Sequence, residues 1–343
     1  MINRRFFAAS RVAPRGFAIG AAALVVALVF APAEAGAGSL DLAVHNTGVS
    51  FGNSKQFTGL RLNFTDRGIE EINGINLTFW KPGRSPSGSI NGLSLALFGA
   101  DAAKISGVNI GLAGIVADRL SGFSVALVGF SVEHELAGIG IAGIGVGGGN
   151  IKGLAIGGIG VGADDVDGIA MGLIGVGGKN VDGIVIGGIG AGAEWIRGVG
   201  IGGLGIGADK LEGVFIGGIG AGGKKISGVA IGGVGVGGTE ATGFFVGGLG
   251  CGAQDFAGVG IGGLGVGADD LRGAAIGGLV VKCTDARWFT AAAFNRVSSE
   301  MVGLQIGLIN AAGILHGVQI GVLNYAGNNP SWARILPLVN LNL

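Results

Sequence analysis

Three glycine patterns have the spacing that lets a backbone approach a pyrophosphate: Gly138-x-Gly140-x-x-Gly143, Gly198-x-Gly200-x-x-Gly203 and Gly258-x-Gly260-x-x-Gly263. That chemistry also needs a strand before the glycines and a helix opening after them. Neither flanks these patterns, and a wider repeat generates them, so no nucleotide site is expected. Gly160-x-Gly162-x-Asp164 echoes the glycine–aspartate spacing of calcium-binding β-rolls. Such a roll needs oxygen ligands from successive turns. Here the equivalent positions become Lys179 and Lys224, which repel a cation. Only a sporadic site near Asp164-Asp165 or Asp269-Asp270 stays open. His45, His134 and His316 share no ligand spacing, and no Ser or Cys sits in a nucleophile motif. No catalytic, cofactor-binding or metal-ligating residue is therefore expected, and the protein reads as a non-enzyme.

The element that carries these patterns is a repeat. Ten consecutive 15-residue units start at Gly138, Gly153, Gly168, Gly183, Gly198, Gly213, Gly228, Gly243, Gly258 and Gly273. Degenerate units extend upstream from Gly59, and downstream through Trp288–Asn295, GLQIGLIN (303–310) and GVQIGVLN (317–324), to about eighteen in all. A repeat of this kind sets the fold before local propensity does. With the first Gly as position zero, aliphatic residues recur at positions 1, 3, 6, 8 and 13, as in Leu154, Ile156, Ile159, Val161 and Val166. That spacing is not helical, and about five glycines per unit would each cost a helix roughly 0.5–1 kcal/mol. It predicts an all-β, single-stranded, triangular β-solenoid with all five aliphatic rows stacked inside and capped ends.

Charges fall at positions 11 and 14, including Asp164, Lys179, Glu194, Asp209 and Lys224. They mostly alternate in sign from coil to coil, which reads as a solvated edge. Cys251 falls at position 8 and Cys283 at position 10 two coils later. Two coils are about 10 Å, beyond the roughly 7 Å reach of a disulfide, so two free thiols are expected.

Composition agrees. Glycine makes up 78 of 343 residues, 49% are apolar, 13% charged, and Lys+Arg balances Asp+Glu at 22 each. No basic field points to nucleic acid, and only six prolines argue against collagen. Arg4, Arg5, Arg11 and Arg15, the apolar run Phe17–Ala31 and Ala33-Glu34-Ala35 read as an export signal over 1–35. The expected organisation continues with an N-terminal cap (36–58), degenerate coils (59–137), regular coils (138–287), and degenerate coils with a C-terminal cap (288–343).

The units GLQIGLIN, GVQIGVLN and GLAIGGIGVGA, with the upstream NGINLTFW, resemble the glycine-rich surface repeat-containing proteins of bacteria. The resemblance covers residues 59 to about 325. It implies an exported, surface-associated protein and carries over no catalytic residue. Lipid-anchored members have a Cys after the signal, which this chain lacks.

Together these readings predict an exported repeat protein of the periplasm, the outer-membrane surface or the extracellular space, acting as a rigid scaffold, spacer or adhesive surface. Its expected partners are the cell envelope or other surface proteins, and no cofactor is implied. The alternatives are an outer-membrane β-barrel or channel component, and a carbohydrate-active solenoid using the insertion Arg84-Ser85-Pro86-Ser87 as its loop. A barrel needs sustained alternation over about 9–11 residues and aromatic girdles, whereas one Tyr and four Trp are present. Ice binding needs Thr ladders, which no repeat position supplies.

Overall fold

The computed structural model describes residues 38–80 and 87–343. The expected export signal at 1–35, and Arg84-Ser85-Pro86 of the expected loop, lie outside them. The described residues form an all-β solenoid of about 18 turns with roughly 15 residues per coil, 81% strand and no helix. The described residues divide into two compact units, those up to residue 135 with 139–148, and residues 136–138 with 149–343.

In the second unit the coils pair in parallel with a constant offset of fifteen from Asp165 to Ala291, and the register shifts by one residue between Cys283 and Ala286 and again between Val297 and Glu300. Gly190–Gly202 lies on Gly205–Gly217, for example, joining Ile196 to Leu211 and Ile201 to Ile216. Each regular coil bends at positions 5–6, breaks its ladder at position 11 and turns at position zero. The position-zero glycines of the ten regular coils lie at φ between +115° and +138°, a region closed to most side chains.

The packing corrects the expected core. Positions 8 and 13 do point inward, with Val161 and Val166 each 2% exposed. Positions 1, 3 and 6 do not. Leu154 and Ile156 are only half-buried, and Ile159 is 46% exposed. The cause is strand alternation. From inward position 13 the two-residue period runs unbroken to position 4, so positions 2 and 4 face in while 1 and 3 face out. The bend at positions 5–6 then throws position 6 outward as well.

Position 2 is therefore the third interior row, and its composition changes along the chain. In the regular coils it holds Ala155, Ala170, Val185, Gly200, Phe215, Ala230, Phe245, Gly260 and Ala275. Large and small residues compensate. A Cβ on Gly200 would stand 3.0 Å from the Phe215 ring, and one on Gly260 would stand 2.7 Å from Phe256. Phe245 and Phe256 meet edge to face with centroids 5.3 Å apart. Mixed volumes of this kind let a large ring pack beside a small residue in the neighbouring coil.

Toward the C-terminus the same unit fills its interior with amides. Asn295 donates to Asn310 and Asn310 to Asn324, both at 2.8 Å. Gln319 donates to Gln305 at 2.7 Å. These are stacked side-chain ladders like those of cross-β assemblies. The last strand, Ile335–Asn342, turns back antiparallel on Ile309–Ala326 and covers the open edge.

In the first unit, Ser39–Val44 and Thr47–Gly52 form an antiparallel hairpin. Its turn residues His45 and Asn46 both have positive φ, as a type I′ hairpin requires. Parallel coils then follow from Gln56–Asn63 to Gly114–Ala126. Their position-2 row is polar and buried: Arg61, Asn76, Ser94, Asn109 and Ser124. Arg61 reaches Asp66 at 2.6 Å, Asn76 at 2.7 Å and Asn53 at 2.8 Å.

One coil breaks the position-zero rule. Trp288 occupies it at φ +117° with 74% of its surface exposed. Because the indole packs little and the backbone is strained, Trp288→Gly is expected to raise stability by about 1 kcal/mol. A urea unfolding midpoint that falls instead would show that the ring makes contacts worth more than the strain.

Candidate interaction surface

The misassigned rows are the largest unexplained feature of the molecule. In the second unit, position 1 carries Val199, Val214 and Val229, position 3 carries Ile201, Ile216 and Ile231, and position 6 carries Leu204, Ile219 and Val234. Parallel register stacks each row directly on the next coil. Leu204 and Ile219 are about half exposed, at 52% and 51%. Between rows 3 and 6 runs a trough floored by the exposed position-5 glycines, such as Gly203 and Gly218. A Cβ on Gly203 would stand 1.8 Å from the Gly188 carbonyl oxygen, so the trough admits no side chain. It deepens into an open depression of about 620 Å³ where Ala291, Ala292 and Ala293 replace the Ile-Gly-Gly pattern, between Ile276, Ile306 and Leu338.

The charged side lies elsewhere on the coil and behaves as the sequence suggests. Lys179 pairs with Asp164 at 2.8 Å, Arg197 with Asp182 at 3.2 Å, Lys224 with Asp209 at 2.9 Å and Lys225 with Glu240 at 2.7 Å. Each joins residues of adjacent coils, is solvent-exposed, and contributes at most about 1 kcal/mol. Asp165 accepts from Asn180, and Asp270 from Arg272. Three of the four carboxylates at the possible sporadic calcium positions are thus already engaged with cations or an amide. The Trp195 ring carries Arg197 at 4.4 Å and Lys210 at 4.9 Å.

The glycine patterns lie in strand and bend. Gly198 and Gly200 belong to Gly190–Gly202, Gly203 is a bend residue, and no helix follows. Among the described residues no two of the three His share a group of potential metal ligands. Stacking does bring His134 to Glu133 and Asp118, with ligand atoms all within 4.8 Å of one another. Chain spacing conceals this group because Asp118 and Glu133 meet only through the coil repeat. Cys251 and Cys283 are both free and buried. Burial pushes their thiols up to about 11 and about 12, so neither is a nucleophile at neutral pH.

Asp101 is a titrating group that no motif or repeat position singles out. Partial burial, and then the nearby Asp66 and Asp118 charges, raise its carboxyl from 3.8 to about 7. Below about pH 4 it is protonated whether the chain is folded or not. Between about pH 4 and pH 7 the unfolded chain ionises while the folded chain holds its proton, so stability falls as pH rises and levels off above about 7. Asp101→Asn is expected to remove this loss, gaining more over wild type at about pH 8 than at about pH 5. Parallel unfolding profiles of the two proteins across that range would refute the assignment.

Compared with known proteins, the chain matches no family model, no curated protein and no solved structure.

Proposed function

We propose that this chain is a non-enzymatic, exported bacterial repeat protein of the surface or periplasm, a scaffold or spacer that presents an adhesive face. The observation that carries the reading is the outward display of three registered aliphatic rows, with charge held on another side of the coil. A soluble monomer rarely exposes an apolar patch beyond about 300–600 Å², and larger ones mark interaction sites. Rows locked into a parallel ladder lose little further entropy on contact, which suits a fixed surface better than a pocket that closes on substrate.

The basic, apolar and small-residue succession of residues 1–35 supports export, and the likeness to bacterial surface repeat proteins supports the location. Parallel coil-to-coil pairing around filled interior rows favours this reading over a transmembrane barrel, whose strands are antiparallel around a lumen.

Fractionation of cells expressing the full chain tests it. The expected product starts at Gly36 and is found in the periplasm or at the cell surface. Retention of an uncleaved chain in the cytoplasm would overturn the reading.

A further inference from the structure

We propose that the three aliphatic rows of the 149–343 unit are the contact between two copies of this chain, packed face to face about a two-fold axis. This deepens the scaffold reading, on which it rests, by naming the partner of the adhesive face.

The first argument is periodicity. Rows 1, 3 and 6 repeat once per coil, at about 4.8 Å, and the register shows no slip from Gly190 through Ala275. A second copy presents the same spacing. Its ridge at position 3 or 6 can seat in the glycine trough along the full length, as sheets interdigitate in a dry zipper. A surface without that repeat would match a few coils and then drift out of phase.

The second argument is area. About eleven coils between Gly153 and Gly317, at about 4.8 Å each and about 15 Å across, present on the order of 800 Å². A stable pair needs about 800 Å² from each partner.

The third is charge. Residues 153–287 hold eight Lys and Arg against twelve Asp and Glu, a net −4. That balance repels an anionic bilayer. The acids sit at positions 11, 12 and 14, away from the apolar rows, so they do not oppose a self-contact there. An isologous pair also closes on itself and leaves no apolar face to propagate aggregation.

Sedimentation velocity of the full mature chain is expected to show a dimer at micromolar concentration. Ile201→Thr/Ile216→Thr/Ile231→Thr keeps β-branched side chains at half-exposed positions. It is expected to weaken the dimer about 100-fold or more, since buried interface side chains dominate affinity. Glu194→Gln/Asp209→Asn/Glu240→Gln, on the charged side, is expected to leave the dimer intact.

Should the threonine variant fail to fold, a nitroxide on Ile216→Cys gives an independent reading. The native thiols are buried and resist labelling, and a face-to-face pair places the two labels at short range. A wild-type monomer, a dimer that survives the threonine substitutions in a folded chain, distant labels, or binding to phosphatidylcholine vesicles in place of self-association would each overturn the proposal. A failure here concerns copy number and leaves the fractionation result standing, whereas cytoplasmic retention would remove the scaffold reading while leaving a dimer measurable.

Discussion

Gly213→Val is expected to lower stability by about 4 kcal/mol, and to do so although no side chain is removed from the core. Gly213 holds φ +134°, and a Cβ there would stand 2.0 Å from the carbonyl oxygen of Gly198 in the preceding coil, with the Gly198 carbonyl carbon at 2.9 Å. Both atoms are backbone. Relief therefore requires the two coils to separate, and the hydrogen bonds that join them are what make a 15-residue turn stable at all. A single coil cannot pay the entropy of its own ordering, so stability resides in the contacts between neighbours. Damage should centre on the coils starting at Gly198 and Gly213, visible as hydrogen-exchange protection lost there first. A valine variant unfolding within about 1 kcal/mol of wild type would show that the stack absorbs the clash, and that position zero is glycine for another reason.

Asp66→Ala is expected to cost about 3–5 kcal/mol, the usual penalty for leaving a buried charge without its partner. Arg61 and Asp66 form an ion pair at 2.6 Å with both side chains inaccessible to solvent. Asp66 also accepts from Asn63 at 2.8 Å and Thr78 at 2.9 Å. Removing the carboxylate strands the guanidinium with only Asn53 and Asn76 as side-chain acceptors.

The double variant Arg61→Met/Asp66→Ala removes both charges, and it is expected to recover much of the loss, because an apolar replacement avoids the desolvation that the pair must offset. Urea unfolding of the four proteins of this cycle gives the coupling directly. Additive effects would show that the two groups do not depend on each other, contrary to the geometry.

What the amino-acid sequence determined by itself was the coil. Position-zero glycines every fifteen residues permit the backbone turn, and the unbroken repeat from Gly138 sets the parallel register seen from Gly160 to Ala291. The inward rows of Val161 and Val166, the charged edge with its alternating signs, and the two free thiols were legible for the same reason, because each depends only on position within one unit.

Which side of the strand faces the interior was not legible. Hydrophobicity pointed to Ile156 and Ile159, whereas the interior row is position 2, where Ala155, Phe215, Gly260, Gln305 and Arg61 look like a random set. The fold tolerates that variety because an interior row is satisfied collectively. A large ring fits beside a glycine in the next coil, and an amide bonds to an amide, so no residue type is required at any one turn. The recurrence of Gln and Asn at matched places in GLQIGLIN and GVQIGVLN was the one available signal of buried ladders. Two backbone features decided the surface: strand alternation counted from position 13 put the aliphatic rows at positions 1 and 3 outside, and the bend at positions 5–6 turned out the row at position 6.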